Sequence, residues 1–231
     1  MKGSSWPASV AMPAAQAELL VQEAATRGFA AVLLTTSKVA PPAPDALDGV
    51  WAALDETGLV AVLHFGTTGM TLPRGWRRVA DRTDGEAADP IDVVCAHHGA
   101  EAIVARLALS GILEGRPGLR VLTAEHGAAW LPGLLTSLDA CQRAFRSTDP
   151  GIPQDTPLST QVRRALTVTP FVFERIGELQ DQVGDGILAF ATDHPHPEGG
   201  RDAAGSFSRS LGDRAGAAFF EGNAAGLFDA R

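Results

Sequence analysis

Short apolar runs recur along the chain, and most of them are apolar at every position instead of alternating with polar residues. These runs are Trp6–Met12, Gly28–Thr36, Leu59–Gly66, Leu119–Gly127, Arg164–Phe171 and Gly186–Thr192. A strand that is apolar on both faces is typical of a parallel sheet covered by helices on each side. The pattern therefore predicts about six buried, parallel strands.

Segments with helical periodicity separate the apolar runs. They are Pro13–Arg27, Asp45–Thr57, Ala88–Glu114, Trp130–Phe145, Phe173–Val183 and Arg214–Phe228. Strands that alternate with helices predict an α/β fold, built either as a (βα) barrel of the TIM type or as an open, doubly wound sheet. Two stretches are predicted as loops: Thr71–Pro90, which could cover one end of the sheet, and the proline-rich linker Thr148–Pro157.

Chemically capable side chains stand where several of these strands end. His64 follows one apolar run, His126 follows another, and Asp193 comes directly after the last. A barrel collects such residues from several strands into one mouth, whereas an open sheet concentrates them at one switch point. The distribution favours the barrel, with the chain folded as a single domain over residues 1–231.

Composition and charge narrow the classes of partner. The 231 residues carry a formal net charge of -8, which argues against nucleic acid or an anionic membrane as the main partner. No apolar run reaches the roughly 18 residues of a membrane span, and the N-terminus lacks the pattern of a signal peptide. Cys95 and Cys141 show no disulfide or zinc-ligand spacing, so we expect buried, reduced thiols in a cytoplasmic protein.

The three residues at the strand ends suggest metal chemistry when they are taken together. A lone histidine at a strand end is as often a packing residue as a functional one, and a lone aspartate there often serves in a turn. Two imidazoles and a carboxylate at one end of a parallel sheet, however, are the ligands that Zn²⁺, Mn²⁺ and Fe²⁺ use. The set His64, His126 and Asp193 is therefore the candidate site, with Asp193 able to serve as both ligand and proton acceptor.

Several segments resemble the amidohydrolase-2 family, which includes relatives of aminocarboxymuconate-semialdehyde decarboxylase. The most specific matches are T-A-E-H-G within Leu119–Asp139 and T-D-H-P-H-P-E-G within Ile187–Gly200. Weaker matches are Leu59–Gly69, Ala108–Arg120 and the closing segment Phe219–Phe228. The matches keep the family's order over roughly residues 6 to 230.

The resemblance implies a TIM barrel with a divalent metal in its mouth, most often zinc, with manganese or iron as alternatives. It implies that His64 is a metal ligand and that Asp193 binds the metal and shuttles a proton. It also places His126 beside the metal, where it would polarise substrate or water.

Three neighbouring residues receive no ligand role at this stage. In a strand, the side chain of Glu125 would point away from that of His126, so Glu125 is expected to be a packing or ion-pair partner. His196 lies in a Pro-His-Pro turn of the family pattern and is interpreted as structural or as a neighbour of the ligands, and His194 is given no role. A third protein ligand, should the metal prove tightly bound, would be sought first at His196 or His194.

One departure from the family pattern weakens the metal assignment. The family's first strand carries an H-x-H or E-x-H pair that supplies two metal ligands, and no such pair is found near the N-terminus here. The segment WPASVAMP resembles the family's third strand instead, so the chain is expected to hold about six of the eight strands. A metal with only two ligands would bind weakly. Exposed sheet edges would favour a homo-oligomer.

The function predicted from these observations is a metal-dependent hydrolase that acts on a small organic acid, amide or lactone. In that reaction Asp193 would accept a proton and His126 would steady a developing oxyanion. A decarboxylase of a small carboxylic acid is the alternative enzyme. A non-catalytic barrel remnant with an incomplete metal site, and an open α/β sheet that binds a small ligand, also remain open.

Overall fold

The sheet of this computed structural model is parallel throughout. The structure describes residues 8–10, 14–34, 47–64, 91, 94–196, 199–214 and 216–229. The strands are β1 (Ala8–Val10), β2 (Ala31–Leu34), β3 (Val60–His64), β4 (Arg120–Ala124) and β5 (Leu166–Val168). The predicted loop Thr71–Pro90 and the predicted helix start at Asp45 lie outside the described residues.

The strands neighbour one another in chain order, β1-β2-β3-β4-β5. This order has no reversal, so it differs from a doubly wound sheet and matches part of a (βα) barrel. The register pairs Val60 with Arg120 and His64 with Ala124, which brings the carboxyl ends of β3 and β4 to the same height. The prediction of a barrel-type α/β fold is confirmed in this partial form.

The sixth predicted strand is reduced to a short paired segment. Val168 and Leu188 form a single parallel bridge, in which Val168 N–H donates to the Ile187 carbonyl and Ala189 N–H donates to that of Val168. The next residue, Phe190, donates its N–H to the carbonyl of Phe219. The edge that was expected to be unpaired or covered by another subunit therefore donates a hydrogen bond to the C-terminal part of its own chain.

The described residues form nine α-helices, and seven of them overlap the segments that were predicted to be helical. They are α1 (Ala14–Thr26), α2 (Asp48–Thr57), α3 (His97–Leu109), α4 (Ile112–Gly115), α5 (Leu131–Phe145), α6 (Leu158–Ala165), α7 (Ile176–Val183), α8 (Ala203–Leu211) and α9 (Asn223–Asp229). A 3₁₀ turn, Gly212–Arg214, and a π-helical turn, Ala218–Gly222, connect α8 to α9.

Two of these helices were missed by the sequence pattern. The predicted strand from Arg164 begins only at Leu166, because residues 158–165 form α6. The carboxylate of Asp139 accepts hydrogen bonds from the N–H and the hydroxyl of Ser159, and so it caps α6 from a distant helix. Helix α8 is capped by Asp202, whose side chain accepts the N–H of Gly205. Only the first of these caps depends on tertiary structure.

The outer face of the sheet forms the main core. Alternate strand residues, such as Val32, Ala61, Leu63 and Val121, pack against the surrounding helices. Cys95 and Cys141, which were expected to be buried, are partly exposed, and both are free thiols. Among the described residues, no helix combines the length and the apolar character that a bilayer crossing requires.

The opposite face of the sheet, called here the inner face, is formed by the other strand side chains. These residues are Ala31, Leu33, Val60, Val62, Leu122 and Ala124. In a complete barrel such side chains fill the interior. Here Leu227 and Phe228 of α9 pack against them, and the Leu227 carbonyl accepts a 2.6 Å hydrogen bond from the Arg120 guanidinium. The C-terminal helix thus covers the apolar inner face.

Candidate active site

Four ionisable side chains meet where β3, β4 and the segment after Ala189 end. His64 is the last residue of β3, and Glu125 directly follows β4. Asp193 and His196 belong to the turn that follows the paired segment 187–189. These four residues are called here the mouth cluster. Their position matches the carboxyl end of the strands, where barrel enzymes carry their active sites.

The backbone leaves the strand conformation at both carboxylates. Glu125 has φ 61° and Asp193 has φ 53°, values in the left-handed region that non-glycine residues seldom adopt. Such a conformation ends the strict alternation of a strand, so Glu125 need not point away from His126. The expectation of an ion-pair role for Glu125 is confirmed, since its carboxylate pairs with His64 in the mouth cluster.

The side-chain distances in the mouth cluster are short. His64 Nε2 lies 3.1 Å from Glu125 Oε1, and His196 Nδ1 lies 3.5 Å from the same oxygen. His196 Nδ1 is also 3.2 Å from Asp193 Oδ1. One donor atom from each of Glu125, Asp193 and His196 lies within 4.8 Å of the others. The predicted residues His64 and Asp193 are thus joined through Glu125 and His196, which sequence reasoning left without a ligand role.

The electrostatics of the mouth cluster couple its members. The hydrogen bond with Glu125 raises the pKa of His64 above its ordinary value, although burial acts in the opposite direction. For Glu125, burial disfavours the ionised form. The hydrogen bond and charge of His64 outweigh that effect and leave the pKa of Glu125 below its ordinary value. The cluster therefore favours a charged carboxylate at Glu125.

His126 occupies a different and much drier position. It is 2% exposed, and its Nδ1 lies 2.7 Å from the carbonyl oxygen of Ala96. Because a carbonyl only accepts hydrogen bonds, Nδ1 carries the hydrogen and Nε2 is the acceptor atom of the neutral ring. Burial lowers the pKa of His126 to about 4, with the charge of His64 adding to the effect. His126 is therefore a neutral imidazole within electrostatic range of the mouth cluster.

A cavity of about 100 Å³ adjoins the carboxylates. Glu125 and Asp193 contribute its polar wall, and Pro170, Phe171 and Val172 contribute an apolar one. This combination suits a small ligand that has an apolar body and a polar or charged end.

Glu174 braces the two loops that frame this cavity. Its half-buried carboxylate accepts the N–H of Phe171 at 2.7 Å, of Ala128 at 2.9 Å and of Ala129 at 2.7 Å. These bonds join the loop after β5 to the loop that follows His126. Burial raises the pKa of Glu174 above its ordinary value, even though the three N–H groups favour the carboxylate. Sequence reasoning missed this residue because its partners come from distant segments.

The remaining histidines lie apart from the mouth cluster. His97 begins α3, where it lies 3.8 Å from the Glu101 carboxylate and stacks edge-on with His98. His98 and His194 are exposed. The expectation that His194 has no site role remains a prediction.

The donors of the mouth cluster fit a divalent cation. Carboxylate oxygens and imidazole nitrogens are the ligands that Zn²⁺, Mn²⁺ and Fe²⁺ share. The carboxyl groups of Glu125 and Asp193 both lie within 3.5 Å of His196 Nδ1, where a divalent cation would compensate their negative charge. The residues that would hold a cation are thus present on this chain.

Solved structures with a similar fold include an amidohydrolase and several decarboxylases. An amidohydrolase from Mycobacterium avium subsp. paratuberculosis K-10 is 23% identical, with a TM-score of 0.75 over 97% of this chain. A 5-carboxyvanillate decarboxylase from Sphingomonas paucimobilis is 20% identical, with a TM-score of 0.70 over 96%. Another from Novosphingobium aromaticivorans DSM 12444, with bound manganese and a nitrobenzoic acid, is 19% identical with a TM-score of 0.71 over 96%.

This chain spans 57%, 66% and 64% of the lengths of those three proteins, respectively. No protein-family model matches the sequence, and neither does any curated protein. The likeness therefore lies in the fold, which is that of a partial amidohydrolase-type TIM barrel with its candidate site at the carboxyl ends of the strands.

Proposed function

We propose that the chain is a divergent member of the amidohydrolase-2 family and a divalent-metal-dependent hydrolase of a small organic acid, amide or lactone. The observation that carries the proposal is the convergence of two histidines and two carboxylates at the carboxyl end of a barrel-type sheet, beside a cavity. His64 and Asp193 would hold the cation. A divalent cation bound there supplies Lewis-acid stabilisation of negative charge on a substrate oxygen.

The chain's own residues provide the proton chemistry. Asp193, in the mouth cluster, would accept the proton of the water molecule that attacks the substrate and then donate that proton to the leaving group. His126 presents Nε2 as an acceptor because the Ala96 carbonyl holds the hydrogen at Nδ1. In this tautomer Nε2 can accept a proton from a group that reaches it, although His126 is 2% exposed and does not line the cavity. Stabilisation of an oxyanion would require the hydrogen on Nε2 instead.

The cavity limits what can bind. Pro170, Phe171 and Val172 contact the apolar part of a substrate and exclude water from it, while the polar end faces Glu125 and Asp193. A volume of about 100 Å³ restricts the buried part of the substrate to roughly one ring or a short chain.

Decarboxylation of an aromatic acid is the second candidate. The structures that favour it are the two 5-carboxyvanillate decarboxylases, one of which binds manganese and a nitrobenzoic acid. The aromatic wall at Phe171 suits such a substrate. In this reaction a protonated Asp193 would deliver the proton that replaces the lost carboxylate.

Product analysis separates the two reactions. The purified chain, loaded with Mn²⁺ or Zn²⁺, is incubated with small lactones, amides and hydroxybenzoates, and acid release and CO₂ release are measured in parallel. Acid release supports the hydrolase, and CO₂ release supports the decarboxylase. Absence of both from metal-loaded protein across the panel would contradict an enzymatic function.

Two variants test whether any turnover belongs to the mouth cluster. Asp193→Asn keeps the shape of the side chain but removes its charge and its proton acceptor, so activity should fall by about 100-fold or more. Asp181→Asn is the matched control, since Asp181 forms an exposed ion pair with Arg214 at 3.0 Å. Equal activity in the two variants would place the chemistry elsewhere.

A further inference from the structure

The resemblance implies two metal ligands from a first strand, and this chain offers two other side chains at its mouth. Glu125 and His196 lie against the expected ligands His64 and Asp193, at 3.1 and 3.2 Å respectively. The sequence pattern indicates a packing or ion-pair role for Glu125 and a structural role for His196. Their position raises the question of whether they bind metal.

Three of the six separations between donor atoms are close to those of ligands around one cation. Four ligands placed tetrahedrally, each about 2.1 Å from a metal, stand about 3.4 Å from one another. The measured pairs are His64–Glu125 at 3.1 Å, Glu125–His196 at 3.5 Å and Asp193–His196 at 3.2 Å. Glu125, Asp193 and His196 each place one donor atom within 4.8 Å of the others, and His64 lies outside this set of three. The His64 ring, which already contacts Glu125, would therefore have to move toward the ion to become the fourth ligand.

The charges of the mouth cluster also favour binding of a divalent cation. The carboxyl groups of Glu125 and Asp193 lie 3.5 and 3.2 Å from the same atom, His196 Nδ1, at a partly buried site. A divalent cation bound there would compensate the negative charge of both carboxylates at once. His64 and His196 can then serve as ligands in their neutral form.

The segments that carry the donors also allow a metal to enter. The side chains of Glu125 and Asp193 are 15% and 21% exposed, whereas that of His196 is 56% exposed. The turn holding His196 is fixed to the site, because His196 N–H donates to the Asp193 carbonyl at 2.9 Å. A fixed backbone with an accessible imidazole suits a ligand that closes over an incoming ion.

We infer that Glu125 and His196 are metal ligands, and that with His64 and Asp193 they form a four-residue site for a divalent cation within this chain. The inference deepens the proposed function, on which it rests, by replacing the expected first-strand pair with residues from the ends of later strands. The site would then bind one equivalent of metal with two imidazoles and two carboxylates. A site of only His64 and Asp193 would bind weakly.

Metal binding by itself is the test. The full chain, freed of metal with a chelator, is titrated with Mn²⁺, and free Mn²⁺ is measured from its electron paramagnetic resonance signal. One equivalent should bind. Glu125→Gln and His196→Gln should each weaken binding by at least about tenfold, which is what loss of even an outer-sphere partner costs in metal sites.

Two matched variants control for general effects. His98→Gln changes an exposed histidine on α3, and Asp181→Asn removes an exposed carboxylate. Both should bind Mn²⁺ as the parent does. If Glu125→Gln and His196→Gln also bind like the parent, the inference is wrong.

A spectroscopic count of nitrogens keeps the test independent of folding. Electron spin-echo modulation of bound Mn²⁺ should show two coupled imidazole nitrogens in the parent and one in His196→Gln. Two nitrogens in both proteins would overturn the assignment of His196. Retained binding without turnover would refute the proposed function alone. If only His64→Gln and Asp193→Asn lose metal, the inference fails while the proposed function stands.

Discussion

The inner face of the sheet and the mouth above it are built on the same two strands. On β3, Val60 and Val62 pack against Leu227 of α9, and two residues later His64 faces the Glu125 carboxylate. The inner face is apolar and in regular strand conformation. The mouth holds charged groups and two non-glycine residues with positive φ. The comparison shows that the buried apolar side chains of the inner face stabilise the fold. The mouth, at the carboxyl ends of the same strands, holds strained backbone and ionisable side chains instead.

This division predicts that substitutions in the two regions affect different properties. A change on the inner face should lower the free energy of unfolding and leave metal affinity of the folded protein intact. A change to a side chain of the mouth cluster should weaken metal binding and have little effect on the free energy of unfolding, whereas a change that displaces the backbone there should affect both. Four substitutions examine this division, from the largest expected effect to the smallest.

Leu227→Ala should have the largest effect on stability. Leu227 is 7% exposed and packs on Val60 and Val62, so its truncation should lower the free energy of unfolding by about 3 kcal/mol. Chemical denaturation measures this loss. Leu19→Ala, at a leucine that is 66% exposed, is the matched control and should change stability by less than about 0.5 kcal/mol. Equal effects would mean that α9 does not cover the inner face.

Gly199→Ala should distort the mouth through the backbone. A Cβ at Gly199 would lie 2.9 Å from the Asp193 carbonyl oxygen and closer still to that of Thr192. We expect a loss of about 2 kcal/mol together with weaker Mn²⁺ binding, since Asp193 must move. Gly133→Ala, where the added methyl group meets open space in α5, should instead stabilise the protein by about 0.5–1 kcal/mol. Unchanged Mn²⁺ affinity in Gly199→Ala would separate Asp193 from the metal.

Glu174→Gln should lower the free energy of unfolding by about 1 kcal/mol, because a carboxamide offers one acceptor oxygen to the two loops where the carboxylate offers two.

The raised pKa of Glu174 also sets the sign of a pH effect. Because the pKa of Glu174 is higher in the folded than in the unfolded protein, its protonation stabilises the fold. This stabilisation is complete at pH values below the unfolded pKa and is lost as the pH rises through the folded pKa. Unfolding at pH 4 and pH 7 measures it: the parent's advantage over Glu174→Gln should be larger at pH 4. The opposite trend would show that the N–H groups outweigh burial.

Asp181→Asn should have the smallest effect. Asp181 and Arg214 are more than half exposed, so their 3.0 Å ion pair should contribute less than about 0.5 kcal/mol. Thermal unfolding at low and high salt measures the difference. A larger loss would mean that this surface contributes to the fold as the inner face does.

The sequence determined the parallel strands, most helices and the end of the sheet at which the ionisable side chains gather. Uninterrupted apolar runs report burial on both faces, and residues directly after such runs fall at the carboxyl edge whatever the details of packing. That reasoning located His64 and Asp193 correctly at one end. It also found the helix Pro13–Arg27, observed as Ala14–Thr26, because its periodicity is local.

Only the tertiary structure decided which side chains meet there and what covers the sheet. Glu125 joins His64 because its backbone turns to φ 61°, which the alternation of a strand does not foresee. The position of α9 against the inner face, and the bracing of loops by Glu174, depend on contacts between segments far apart in the chain. The local sequence pattern indicates which face of a segment is buried. Which other segment packs against that face depends on the fold of the whole chain.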